Sequence, residues 1–182
     1  MSARQTVNQA RAKCDNRTAS AIAEIARTSY RPVVQALTDT FADRLKAVVL
    51  FGSQARGQAG PTSDHDLCVV IEGLSGNPLV RQRTVRSVLL PILDQLPGPI
   101  SFLPKTPQEV AANLTALMLD VCVDGICLDG PAYFEPYRQR ALAALRQSKL
   151  RRQDMGGTLM WVFPQMPTAD WELSWEGYLE RP

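Results

Sequence analysis

The chain has 182 residues, 45% of them hydrophobic and a formal net charge of only +2. That is enough apolar material for a packed core and too little charge for a strongly basic nucleic-acid binder. The polar start of the chain has no apolar core of a secretion signal, and no apolar run reaches membrane-span length, so a cytoplasmic protein with no membrane role is expected.

In chain order, residues 1–17 are polar, and the AIAEIA pattern predicts a helix from about Ser20 to Thr28. Pro32 opens a second helix, expected to reach Leu45, with Val33, Leu37 and Phe41 at helical spacing. The apolar run Ala47–Phe51, stopped by Gly52, predicts a buried strand, and Asp66–Ile71 predicts another. A helix follows from Leu79 to about Leu96, kinked or shortened by Pro91, and then a short strand over Ile100–Leu103. Thr106, Pro107 and Glu109 spell a capping box for a helix expected to run to Leu119. A short strand over Gly125–Leu128, a helix from Pro131 to Leu150, a turn at 155–157 and a late strand over Thr158–Phe163 complete the pattern. Helices alternating with short apolar strands predict an α/β (α+β) domain with a mixed β-sheet flanked by helices. The expected division is an N-terminal extension and helix (1–30), a core (31–130), and a small C-terminal helix–strand extension packed on it (131–182).

The chemistry is concentrated between Val48 and Val70. Gly52 lets the backbone approach a ligand closely, and Ser53 can cap the following short helix while adding a hydroxyl donor to its N–H groups, which is an arrangement suited to phosphate. Arg56 can support a phosphate or brace the loop, and Gly57 ends the turn. Asp64 and Asp66, two apart in an extended chain, share one face. Two carboxylates held together repel unless one is protonated or a cation binds, and Mg²⁺ prefers such all-oxygen ligation.

Gly52, Ser53, Arg56, Gly57, Ser63, Asp64 and Asp66, with strands on both sides, resemble the signature of the DNA polymerase β-like nucleotidyltransferases, and within them the stand-alone minimal branch. The resemblance implies the nucleotidyltransferase fold, a nucleoside triphosphate held by Gly52, Ser53, Arg56, Gly57 and Ser63, and Mg²⁺ (with a two-metal site possible) on Asp64 and Asp66 as the catalytic carboxylates. It implies transfer of a nucleoside monophosphate, AMP from ATP foremost, to a hydroxyl of a protein, RNA or small molecule. By analogy with small family members, a cognate toxin is a possible protein partner. Family members commonly carry a third carboxylate on a later strand, and Ser101 stands where it is expected here. The alternative is therefore a weakly active or inactive nucleotide-binding module that acts through protein contact. Neither Asp120 nor Asp124 can be placed from sequence, and Glu72 lies too far along its strand to substitute.

The remaining signals have bland readings. His65 should point away from the aspartate face into packing. Trp161, Trp171 and Trp175 suit a late core or a dimer surface, with base stacking as the functional alternative. Cys14, Cys68, Cys122 and Cys127 lack zinc spacing and read as reduced thiols. Arg81, Arg83 and Arg86, and Arg146, Lys149, Arg151 and Arg152, read as solvated faces or as patches for phosphates or an acidic partner. Binding to nucleic acid is possible on those patches but is not indicated by the overall charge.

Overall fold

The computed structural model describes residues 20–156, 158–167 and 170–181. Its centre is a four-stranded sheet in the order β3-β2-β1-β4, built from β1 (Leu45–Phe51), β2 (His65–Ile71), β3 (Ile100–Lys105) and β4 (Ile126–Asp129). β1 runs antiparallel to β2 and β4, whereas β2 and β3 are parallel, so the sheet is mixed, as expected.

The two central strands are apolar and buried over Ala47–Phe51 and Leu67–Ile71 because helices cover both faces. Val48, Leu50, Leu67, Val69 and Ile71 face α1 (residues 20–29), α2 (Arg31–Phe41) and α4 (Pro78–Leu89), where Tyr30, Val33, Leu37, Phe41, Val85 and Leu89 complete one core. Ala47, Val49, Phe51, Cys68 and Val70 face α5 (Pro107–Ala112), α6 (Ala116–Asp124) and α7 (Pro131–Ser148), which supply Val110, Leu119, Val121, Cys122 and Phe134 to a second core. The alternation along each strand divides the residues between the two cores.

Several boundaries differ from the sequence reading. α2 stops at Phe41 because Ala42 adopts φ 47°, and a 3-10 turn over Ala42–Arg44 leads straight into β1 at Leu45. Pro91 ends α4 early and leaves a 3-10 stretch over Leu90–Gln95, while Asn77, not anticipated as a cap, accepts from the N–H groups of Leu79 and Val80. The Thr106–Glu109 capping box is present. Its helix nevertheless ends at Ala112 instead of Leu119, because Asn113 turns extended and Thr115 caps α6 afresh through the Met118 N–H.

The C-terminal part holds more strand than expected. β5 (Arg151–Asp154) pairs with β6 (Leu159–Val162), and β7 (Asp170–Ser174) pairs with β8 (Gly177–Arg181). In the turn between β7 and β8, Trp175 inserts into the second core and donates its indole N–H to the Val110 carbonyl at 2.7 Å. Trp171 is instead exposed and meets Phe163 edge-on, with ring centroids 4.9 Å apart. Cys68 and Cys122 are buried free thiols, each pushed up to about 12 by burial, and Cys127 is a half-buried one; Cys14 lies outside the described residues. Among the described residues, no helix is long and apolar enough to cross a membrane.

Candidate functional site

The site forms where β1 ends, β2 begins and β3 begins. In register, Phe51 of β1 and Ser101 of β3 both lie beside Asp66, so the end of the glycine motif and the third strand reach the same carboxylate from opposite sides.

Gly52 adopts φ 74°, the left-handed region that glycine enters without strain, and starts the four-residue helix α3 (Gly52–Ala55). A Cβ at Gly52 would collide with Asp66 Oδ2. The backbone of the Gly-Ser turn is therefore packed directly on the carboxylate. Ser53 is not the cap of this helix, as the sequence suggested. Phe51 takes that position without a side-chain bond, and Ser53 lies one residue inside. The Ser53 carbonyl accepts from the Gln58 N–H at 2.9 Å and closes the following turn. Gly57, at φ 66°, reverses the chain there.

Arg56 reaches sideways: its Nε donates to Gln58 Oε1 at 3.1 Å and its Nη1 to Asp124 Oδ2 at 3.2 Å. Of the two roles the sequence left open, bracing is the one these contacts perform. The Ser63 hydroxyl accepts from the Gly60 N–H at 2.9 Å, and the Ser63 carbonyl accepts from Gln54 Nε2 at 3.4 Å, so Ser63 folds the loop that delivers Asp64.

Asp64 is exposed and Asp66 is half-buried. Burial raises the Asp66 pKa above the usual carboxylate range, and the Asp64 charge raises it further against the opposing pull of Arg56 and His65. An anion held this way gains from a cation. The Asp66 carboxylate packed on the Gly52 backbone, with the Asp64 charge acting on it, offers oxygen donors of the kind that fit Mg²⁺ shared with phosphate oxygens. Among the described residues there is no group of three or more His, Cys, Asp or Glu side chains suited to a metal, so these two would be its only such protein ligands.

On the other flank Ser101 is exposed beside Asp66 and lines a recess of about 380 Å³ with Asp64, Gln82 and Arg86. Among the described residues, the other candidate acids are engaged elsewhere. Asp120 and Asp124 are engaged by arginines, and Glu72 pairs with Lys46 at 2.9 Å.

His65 points to the opposite face. Its Nδ1 is hydrogen-bonded to the Tyr30 hydroxyl, its Nε2 lies 3.4 Å from the Gln54 amide nitrogen, and a Cβ on Gly98 would press on the ring. Burial lowers its pKa despite Asp64 and Asp66, and burial also pushes the Tyr30 phenol up to about 12.

The arginine clusters come apart in space. Arg81 is buried, its Nη1 2.6 Å from Glu109, and is no part of a surface patch, whereas Arg83 and Arg86 are exposed. Arg152 leaves its sequence neighbours to bind Asp120 and Asp124, with its guanidinium 4.6 Å from the centre of the Trp161 ring, whose N–H donates to Asp120 at 3.0 Å. Sequence spacing gave no sign of this network, or of Tyr30 beneath His65.

Residues 33–104 match the family model described as a nucleotidyltransferase domain. No curated protein matches the chain significantly. Among solved structures, a candidate nucleotidyltransferase from Sulfolobus solfataricus is similar at 22% identity and TM-score 0.41, covering 60% of this chain and 84% of that one. A toxin–antitoxin structure with AMP-PNP is similar at 18% identity and TM-score 0.47, covering 65% of this chain and 88% of that one. A variant of the toxin–antitoxin MntA-HpeT is similar at 16% identity and TM-score 0.46, with the same two coverages of 65% and 88%.

Proposed function

We propose, for a chain whose residues 33–104 match the model of a nucleotidyltransferase domain, that it transfers a nucleoside monophosphate from a nucleoside triphosphate, ATP foremost, to an acceptor hydroxyl. The observation that carries this reading is Gly52, whose backbone lies so close to Asp66 that no Cβ fits between them. A triphosphate lying along that turn has its phosphates beside both carboxylates.

In this reading Ser53 and the N–H groups of the turn hold the phosphate tail. Gly57 gives the turn its reversal, Arg56 holds it in place and adds positive potential, and Ser63 shapes the loop before Asp64. Asp64 and Asp66 would hold Mg²⁺, which when bound neutralises phosphate charge and polarises the phosphoryl group. The acceptor enters from the Ser101 side. Its oxygen bonds to the α-phosphorus as the bond to the pyrophosphate oxygen breaks, and its proton passes to Asp64, the carboxylate that lines that recess, or to water.

Ser101 favours a second reading. An uncharged group beside Asp66 leaves that flank without the charge or base of a third acid, which suits a nucleotide-binding module that acts on a protein partner, such as a cognate toxin, with little turnover. Incubation with α-labelled ATP, Mg²⁺ and candidate protein, RNA and small-molecule acceptors separates the two. The transferase reading expects a labelled acceptor and pyrophosphate release, both lost in Asp64→Ala. Nucleotide binding with no turnover on any acceptor would leave the binding module.

A further inference from the structure

The turn after Gly52-Ser53 is tied to the C-terminal part of the chain through one chain of charges. Arg56 Nη1 and Arg152 Nη1 both donate to Asp124 Oδ2, at 3.2 and 2.5 Å. Arg152 Nη2 donates to Asp120, which also accepts the Trp161 indole N–H at 3.0 Å. The guanidinium of Arg152 lies over the Trp161 ring, 4.6 Å from its centre. Arg152 and Trp161 stand opposite each other on β5 and β6, so the hairpin presents both to α6 as a unit. The ion-pair side chains are largely withdrawn from water: Arg152 is 16% exposed, Asp124 13% and Arg56 24%.

Two acids and two arginines make this cluster neutral. Arg152 pairs with Asp120 and shares Asp124 Oδ2 with Arg56. Without Arg152, two acids would face Arg56 alone. The cluster would then carry one net negative charge beside a turn that must receive a polyanion, and Asp124 would lose the shorter of its two arginine contacts. We infer that Arg152, carried on the β5–β6 hairpin outside the matched domain segment, is a positioning residue for the nucleotide site. It fixes Asp124, through Asp124 the Arg56 turn, and it keeps the charge cluster behind that turn neutral. The inference rests on the proposed nucleotide site for its functional half, and its structural half can be read without nucleotide.

The test compares the full-length protein with Arg152→Gln, Arg152→Lys and the double variant Arg152→Gln/Asp120→Asn. Two quantities are measured: the Kd of a non-hydrolysable ATP analogue with Mg²⁺, and hydrogen exchange at residues 52–58 in the ligand-free protein. In Arg152→Gln the Kd rises about fivefold to tenfold, the scale of one unbalanced charge near bound phosphates at moderate salt, and exchange at Gly57 and Gln58 quickens. Asp120→Asn in that background restores neutrality and recovers most of the affinity, which mere loss of packing would not allow. Arg152→Lys, which keeps the charge without the fork, falls between. Should Arg152→Gln fold and bind the analogue as the parent does, or the double variant bind no better than Arg152→Gln, the inference is overturned. If no variant and no parent protein binds the analogue, the nucleotide reading fails; faster exchange confined to the Arg56 turn in Arg152→Gln would still establish the mechanical link, and unchanged exchange would overturn that too.

Discussion

β1 and β3 both reach Asp66, but they leave it in different surroundings. On the β1 side the chain closes on the carboxylate so tightly that only a glycine fits, and the turn beyond it is tied down by Arg56, Gln58 and Ser63. On the β3 side the neighbour is an exposed serine at the mouth of an open recess. One flank is built with fixed geometry and little tolerance for change. The other has room and sets an uncharged side chain next to Asp66. A site with a rigid phosphate flank and an open acceptor flank would hold its nucleotide in one way and meet varied partners, with most of its binding energy in the part that does not vary.

The sharpest way to break that contrast is Gly52→Ala. The methyl group enters the space of Asp66 Oδ2, and φ 74° is strained for any L side chain. Together these should cost about 2–4 kcal/mol of stability. Thermal unfolding would register that loss, and titration with an ATP analogue should find binding abolished. The matching change on the open flank, Ser101→Ala, should lower stability by less than about 0.5 kcal/mol, as expected of an exposed position away from caps and ion pairs. Equal losses at the two positions would mean that the flanks do not differ as described.

How much of this could be read from the chain depends on how local each cause is. β1 and β2 were legible because a buried strand next to a glycine stop and alternating side chains are written in adjacent residues. The capping box at Thr106 was legible for the same reason. The break at Asn113 was not, because Val110, Leu114 and Met118 all pack into one core and so keep an apolar pattern running across the interruption. Ser101 was assigned to the third-acid position from its place in the chain, and the parallel β2–β3 register sets it beside Asp66. The role of Arg56 stayed open because its partner, Asp124, is 68 residues away. Arg152 was read with its sequence neighbours as a cluster, and only the β5–β6 pairing turns it toward α6. The two C-terminal hairpins were understated because their strands are short and partly polar, with apolar anchors at Trp161 and Trp175 that alternation alone does not reveal.

A smaller effect of opposite sign should follow from arming the open flank. Ser101→Asp places a third carboxylate next to Asp66 in register. Asp66 already titrates above the usual carboxylate range, so its ionisation weakens the fold as pH rises from the ordinary carboxylate pKa through the folded value. The added charge raises that folded value and widens the window, so without metal the variant should be less stable than the parent at pH 8. Mg²⁺ with nucleotide should reverse the deficit, and pyrophosphate release should quicken about tenfold or more if a missing acid limits turnover. Calorimetry with and without Mg²⁺, alongside the release assay, reads both. Unchanged turnover with restored metal binding would place the limit in the acceptor, not in Ser101.

The least disturbing change tests whether β2 separates function from support across its two faces. His65 sits between the two aspartates in sequence but packs on the far side, against Tyr30, Gln54 and Gly98. Burial lowers the imidazole pKa and keeps the Tyr30 phenol protonated, its pKa pushed up to about 12, so the phenol–Nδ1 hydrogen bond persists through the physiological range. Tyr30→Phe removes that partner and leaves a half-buried ring nitrogen unpaired, a loss of about 1–2 kcal/mol in unfolding free energy. Because the strand carries Asp66 on its other face, nucleotide affinity and turnover should change by less than about twofold, within the spread expected when a contact outside the reacting face is lost. A fall in turnover much larger than the fall in stability would instead join the Tyr30–His65 pair to the chemistry, and the two faces of β2 would then act as one site.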